Sequence, residues 1–278
     1  MRKLATLLLS LLLHLNANAT AQEAMVLTIN GEAWGIMGHP LACMPVYKDI
    51  ISILPSERST STSNWDGYRS YWNLKNNKLQ LDSIQVQIYN KQNCEYIPIT
   101  YTTKQLLQIL KQKGCKNIID TKLVTDTIRI VKGKCIKYIH SGYARSHEVE
   151  KLLIVKQGKV ISSTTFHNSI MPGLDENETI TKLREMIDWS KFPELKDYQK
   201  RILLLFRAGQ YDNEGNLLDI SIDMKGNSNA ITDSATKNQF IAEVKKILLS
   251  ISPIKTYKIN GLYELCLENY LIPRTTKK

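Results

Sequence analysis

Three segments in the first half of this 278-residue chain place turn-forming dipeptides between arms of alternating polar and apolar residues. They restrict that half to antiparallel hairpins. Tyr71–Leu81 reads Tyr-Trp-Asn-Leu-Lys-Asn-Asn-Lys-Leu-Gln-Leu, with Asn76-Asn77 at its centre. Asn tolerates the left-handed backbone that a tight turn requires, so this spacing predicts a hairpin. Lys132-Gly133 separates Thr127–Val131 from Cys135–Ile139 in the same way, and Gln157-Gly158 separates Leu152–Val155 from Val160–Ser163. The repetition predicts a meander, too irregular for a solenoid or a propeller.

Three helices are expected around these hairpins. Thr102 and Gln105 have capping-box spacing, Leu106, Leu107 and Leu110 share a face, and Gly114 suits the position just past the end. Asp175 and Glu178 open a second helix carrying Ile180, Leu183 and Ile187, and Pro193 closes that region. Thr236 and Gln239 open a third, with Phe240, Val244, Ile247 and Leu248 on one face and Pro253 beyond it. Element order changes at Met171-Pro-Gly-Leu-Asp-Glu-Asn, the expected domain boundary. The expectation is an α+β protein. A β-rich domain of hairpins with a few helices spans about 25–170, and a small α-β-β-α-β domain spans about 176–272.

Arg2 and Lys3 precede a mostly apolar run from Leu4 to Leu15, and Ala17, Ala19 and Ala21 follow. This is the order of a secretory signal peptide over residues 1–21, cut after Ala19 or, preferentially, after Ala21. Twelve residues are too short to span a bilayer of about 30 Å. No later segment of 18 or so residues is apolar throughout, so no transmembrane segment is expected in the mature chain. Removing the leader takes Arg2 and Lys3 and no acid, lowering the formal charge from +11 to +9. With 43% hydrophobic and 23% charged residues, disordered and collagen-like classes are excluded. The expected setting is periplasmic or secreted. Five cysteines remain, an odd number too small for a disulfide scaffold. Cys94 and Cys115 are the candidate pair, because a helix folding back along the strand Glu95–Tyr101 would return the chain towards Cys94.

In the C-terminal third, Arg201–Ala208, the turn Asp212–Asn216 and Leu217–Ile222 form a hairpin. A helix over Lys237–Ser250, then Ser252-Pro253, Asn260-Gly261 and an alternating strand Leu262–Tyr270 follow. This order resembles the TonB C-terminal domain family, with Phe206, Gly215, Pro253 and Gly261 at matching positions. Ile251-Ser252 stands where the family usually has a Trp, and the chain has neither the uncleaved anchor nor the Pro-rich spacer of the full energy transducers. The resemblance therefore implies a fold and a periplasmic setting rather than energy coupling. It also implies that the last strand pairs with an extended segment of another envelope protein, with Tyr263, Leu265 and Leu267 as partner-binding residues.

Two further surfaces compete with that one. Trp65, Tyr68, Tyr71 and Trp72 form the densest aromatic segment and could stack on sugar rings, although Tyr68 and Trp72 share the parity of a sheet core. Lys104, Lys111, Lys113, Lys116, Lys122, Arg129, Lys132, Lys134 and Lys137 form a basic stretch that reads as a solvated face or as a site for an anionic envelope glycan or lipid headgroups; an exported chain has little access to nucleic acid, so none is expected. His140, His147 and Glu148 lack metal-ligand spacing, and Cys135 and His140 lie on opposite faces of an extended chain. No catalytic residue, metal or cofactor is assigned. The expectation is an exported, non-enzymatic protein that acts by protein–protein contact, or alternatively by binding envelope glycan.

Overall fold

The computed structural model describes residues 21–193, 202–226, 233–267 and 269–272; the expected leader lies outside them except for Ala21. The protein is α+β, and the chain divides into two compact units between Phe166 and His167. Among the described residues, no helix is long and apolar enough to cross a membrane.

The N-terminal unit opens with the hairpin β1 (Met25–Ile29) and β2 (Glu32–Ile36), then helix α1 (Tyr47–Ile53). Strands β3 (Tyr68–Lys75), β4 (Lys78–Asn90) and β5 (Glu95–Thr102), helix α2 (Thr103–Gln112), and strands β6 (Asp126–Lys137), β7 (Ser146–Lys156) and β8 (Lys159–His167) complete it. The strand order is β3-β1-β2-β6-β7-β8-β4-β5, and β3 also pairs with β4, so the sheet returns on itself. Closure rests on two contacts between distant segments: β1 runs parallel to β3 with Leu27 opposite Trp72, and Lys78 of β4 meets Lys159 of β8. Leu27, Ile36, Tyr68, Trp72, Ile84 and Ile130 fill the interior with Ile50 of α1 and Leu106 and Leu110 of α2. Each such side chain contributes roughly 1.5–3 kcal/mol. Trp72 keeps its one polar group satisfied, its Nε1 donating to Ser70 Oγ at 2.8 Å.

Local chemistry explains the joints. Asn76 and Asn77, at φ 51° and 58°, join β3 to β4, and Gln157 and Gly158, at 48° and 71°, join β7 to β8. Thr102 and Gln105 form the capping box of α2, and Gly114 follows it at φ 72°. Gly133 differs from expectation: β6 runs straight through it, and the ladder with β7 shifts register between Lys132 and Cys135. A positive φ serves a bulge as well as a turn, and Glu148 Oε2 stabilises the bulge by accepting from Lys134 N at 2.8 Å.

The Cys94–Cys115 pairing is not formed; both cysteines are free. Cys94 sits exposed in the β4–β5 turn with φ 53°. Helix α2 packs Leu106 and Leu110 into the core, and Cys115 lies against that core. Asn117 Nδ2, donating to Asp49 Oδ2 at 2.8 Å, fastens the following segment to α1.

The C-terminal unit contains β9 (Ser169–Met171), α3 (Glu176–Met186), β10 (Ile202–Tyr211), β11 (Leu217–Gly226), α4 (Ser234–Ser250), β12 (Thr256–Ile259), β13 (Leu262–Leu265) and β14 (Asn269–Ile272). They form two three-stranded sheets, β11-β10-β14 and β13-β12-β9. Asp175 and Glu178 cap α3 as expected, whereas α4 opens at Asp233, whose carboxylate accepts from the N–H groups of Ala235 and Thr236. Ile180, Leu183, Leu204, Phe206, Phe240 and Leu248 build the core. The expected strand Leu262–Tyr270 divides into β13 and β14, in different sheets. At the break Cys266 N donates to Lys255 O at 3.3 Å, and Leu267, 3% exposed, turns into the core.

Candidate functional site

The aromatic segment separates into different roles because Trp65 precedes β3 and escapes its alternation. Tyr68 and Trp72 are buried. Tyr71 donates from its hydroxyl to Gln85 Oε1 at 3.2 Å and braces that side chain. Trp65 remains 66% exposed. It stands on a cleft of about 160 Å³ whose lining includes Met25, His39, Asn64, Tyr68, Arg69 and Tyr143. A second lobe of about 280 Å³ is lined by Ser59, Thr60, Ser61, Gln85 and Gln87 and shares Asn64, Tyr68 and Arg69 with the first. A third, of about 360 Å³, adds Trp34, Met37, Arg145 and His147. Glu23 and Arg69, joined by a 3.3 Å ion pair, border all three lobes, and the three together are called the groove.

The wall carrying Glu23 is the first described stretch of chain. Ala21, 5% exposed, bridges to Gly142, Gln22 N donates to Gly142 O at 2.7 Å, and Glu23 N donates to Ser63 O at 2.8 Å. Gln22 Nε2 reaches Thr62 O at 2.9 Å, and Arg145 donates to Gln22 O. A cut after Ala21 would remove a packed residue that a cut after Ala19 retains. The facing loop is held from beneath by Arg129, which donates to Tyr143 O and to Arg145 O at 2.9 Å. Arg129 also pairs at 3.3 Å with Glu150, whose side chain is 0% exposed.

Polar groups under Trp65 form a connected set. Tyr47 donates to Asp66 Oδ2 at 2.7 Å, Arg58 Nε donates to Asp66 O at 2.7 Å, and Tyr68 Oη lies 3.3 Å from His39 Nδ1. His39 Nε2 lies 3.7 Å from Asp66. Burial lowers the His39 pKa, and Asp66 offsets only part of that. Burial is also the first cause raising the Tyr47 hydroxyl, with the Asp66 hydrogen bond adding to it, and it raises Tyr68 and Tyr143. At neutral pH the imidazole is therefore neutral and the phenols keep their protons. The set orients the loop beneath Trp65.

The other candidate residues take varied positions. Leu265 and Leu267 belong to the C-terminal core. Tyr263 packs against Tyr211 with ring centroids 5.6 Å apart and donates to Asn213 O at 2.9 Å. The basic stretch is distributed over α2, β6 and the chain between them; Arg129 is engaged by Glu150, and Lys132 lies 3.0 Å from Glu32. Across β6 and β7 the register places Cys135 opposite His147, while His140 Nδ1 lies 3.2 Å from the Tyr138 hydroxyl. Glu23, Asn64, Arg69 and Tyr143 were not singled out by the sequence, because the segments they come from meet only when the sheet closes. No family model, curated protein or solved structure matches the chain.

Proposed function

We propose that this is an exported, non-enzymatic binding protein whose contact site is the groove of the N-terminal unit. Export is supported by the charge and apolar order of residues 1–21. One observation carries the assignment of the site: Trp65, a large flat side chain, stands 66% exposed at the edge of a cleft whose lining includes Met25, His39, Tyr68 and Tyr143. Trp65→Ala should retain the wild-type melting temperature and lose retention of cell-envelope material on the immobilised protein. Equal retention by both proteins would remove the groove from consideration.

A second reading places protein–protein contact in a TonB-like domain at about 176–272. It is favoured by the sheet β11-β10-β14, in which the last described strand pairs with the first strand of the hairpin and, among the described residues, takes no partner on its outer side. There an extended segment of another envelope protein would add through backbone groups. Retention of an envelope protein that is unaffected by Trp65→Ala would favour this reading over the first.

A further inference from the structure

We infer that the ligand of the groove is a neutral glycan that runs past the Glu23–Arg69 pair with one ring laid on Trp65, an inference that rests on the groove being the contact site. The size of the lobes suits an extended ligand that spans more than one of them. At about 160, 280 and 360 Å³, each lies below or near the lower end of the ~300–1,000 Å³ of small-molecule sites. A compact molecule would fill one lobe and leave the shared border unused.

The lining sets the chemistry. An exposed indole offers a flat apolar face, which suits the C–H face of a pyranose. The second lobe presents the hydroxyls of Ser59, Thr60 and Ser61 and the carboxamides of Gln85 and Gln87. These groups both donate and accept, and they carry no charge. Sugar hydroxyls also donate and accept, so the two sets complement each other without ion pairing. Tyr71 fixes one of these amides by donating to Gln85 Oε1, and Gln85 Nε2 in turn donates to Thr100 Oγ1 at 3.2 Å.

Charge argues against an ionic ligand. Glu23 is matched by Arg69 at 3.3 Å, and Asp66 is held by Tyr47 and faces His39. An anionic polymer would meet the carboxylate of Glu23 and, in the first lobe, that of Asp66, and a cationic one would meet Arg69 and, in the third lobe, Arg145. The basic stretch that pointed to an anionic glycan supplies no residue to any of the three lobes.

An extended peptide fits less well. Peptides are commonly recognised by pairing with a free strand. Here the backbone N–H of Tyr68 is taken by Asn64 Oδ1 at 3.2 Å and that of Ser70 by the Met25 sulfur at 3.2 Å. Strand β1 covers β3 from Tyr71 onward. Recognition in this groove falls to side chains.

The test overlays the full mature chain on printed arrays of neutral oligosaccharides, uronate-containing or sulfated oligosaccharides, and extended peptides, and titrates the hits by calorimetry. The expected hits are neutral glycans whose affinity is nearly unchanged in high salt. It should weaken at least about tenfold in Trp65→Ala and less in Trp65→Tyr, with melting unchanged in both. Gln87→Ala should weaken it severalfold. Hits confined to acidic glycans or peptides, yet lost in Trp65→Ala, would overturn the glycan assignment and leave the groove as the contact site. Neutral hits indifferent to Trp65→Ala would overturn both, as would the absence of hits together with unchanged retention of envelope material by that variant.

Discussion

Arg129→Ala removes the cation from a pair whose carboxylate has no other route to solvent. Glu150 is 0% exposed and Arg129 is 24% exposed, so the variant strands a buried charge that, among the described residues, keeps the His147 N–H donor at 3.0 Å. Breaking a fully buried pair costs about 3–5 kcal/mol. Because Arg129 reaches partly into solvent, the lower end applies, about 3 kcal/mol. For a unit of this size that lowers the melting temperature by about 6–12 °C. Arg129 also donates to the carbonyls of Tyr143 and Arg145, so the loop facing Trp65 should loosen and ligand affinity should fall along with stability. Thermal unfolding followed by tryptophan fluorescence, beside calorimetric titration, reads both effects. The double variant Arg129→Met/Glu150→Gln removes both charges and should recover most of the stability while leaving the loop unheld. A single variant within about 0.5 kcal/mol of wild type, or a double variant less stable than the single, would refute the reasoning.

Remaining predictions concern pH and backbone geometry. His39 has a folded pKa below its ordinary value because it is buried, so between that pKa and about 6.5 the unfolded chain binds more protons. Stability should therefore decline as the pH falls below about 6.5 and level off once the folded imidazole also titrates. His39→Gln should flatten the denaturant midpoint across that window in part, since burial lowers His147 as well. At Gly158, φ is 71° and an added Cβ would lie 2.4 Å from Thr121 O, whereas at Gly31, φ is 83° with nothing within 4 Å. Gly158→Ala should cost more than about 2 kcal/mol and Gly31→Ala about 1 kcal/mol, and equal denaturant midpoints would sink the steric argument. Thr102→Ala should cost about 1 kcal/mol through the lost cap of α2.

What the sequence disclosed well was chemistry contained within a few residues. Asn76-Asn77, Gln157-Gly158 and Asn260-Gly261 all adopt positive φ at tight turns, a preference that belongs to the side chains themselves. Two of the three expected helix openings, at Thr102 and Asp175, are present as capping boxes for the same reason, whereas α4 opens at Asp233 rather than at Thr236. Gly133 was misread because a bulge and a turn ask the same of the backbone, and only the partner strand distinguishes them. Likewise the alternation of Leu262–Tyr270 is real, but the burial of Leu267 redirects the chain halfway along it. Sheet closure depends on β1 meeting β3 and β8 meeting β4 across long separations, and no local pattern reports such pairings. The groove inherits that limit. Trp65 was visible as an aromatic, yet its exposure became visible only once the strand beginning at Tyr68 had swallowed its neighbours.

The stitching of residues 21–23 to Gly142, Thr62, Ser63 and Arg145 bears on how the protein is handled at the bench. Any sequence joined directly ahead of Ala21, whether an affinity handle, a fluorophore or a protease scar, departs from the rim of the groove. Such an attachment would crowd the ligand it is meant to help detect, and an immobilised chain held by that end would present its binding face to the resin. A preparation carrying a handle directly ahead of Ala21 should then give a lower apparent affinity than one with no handle there for the same ligand. A reporter dye ahead of Ala21 becomes, by the same geometry, a direct optical readout of occupancy.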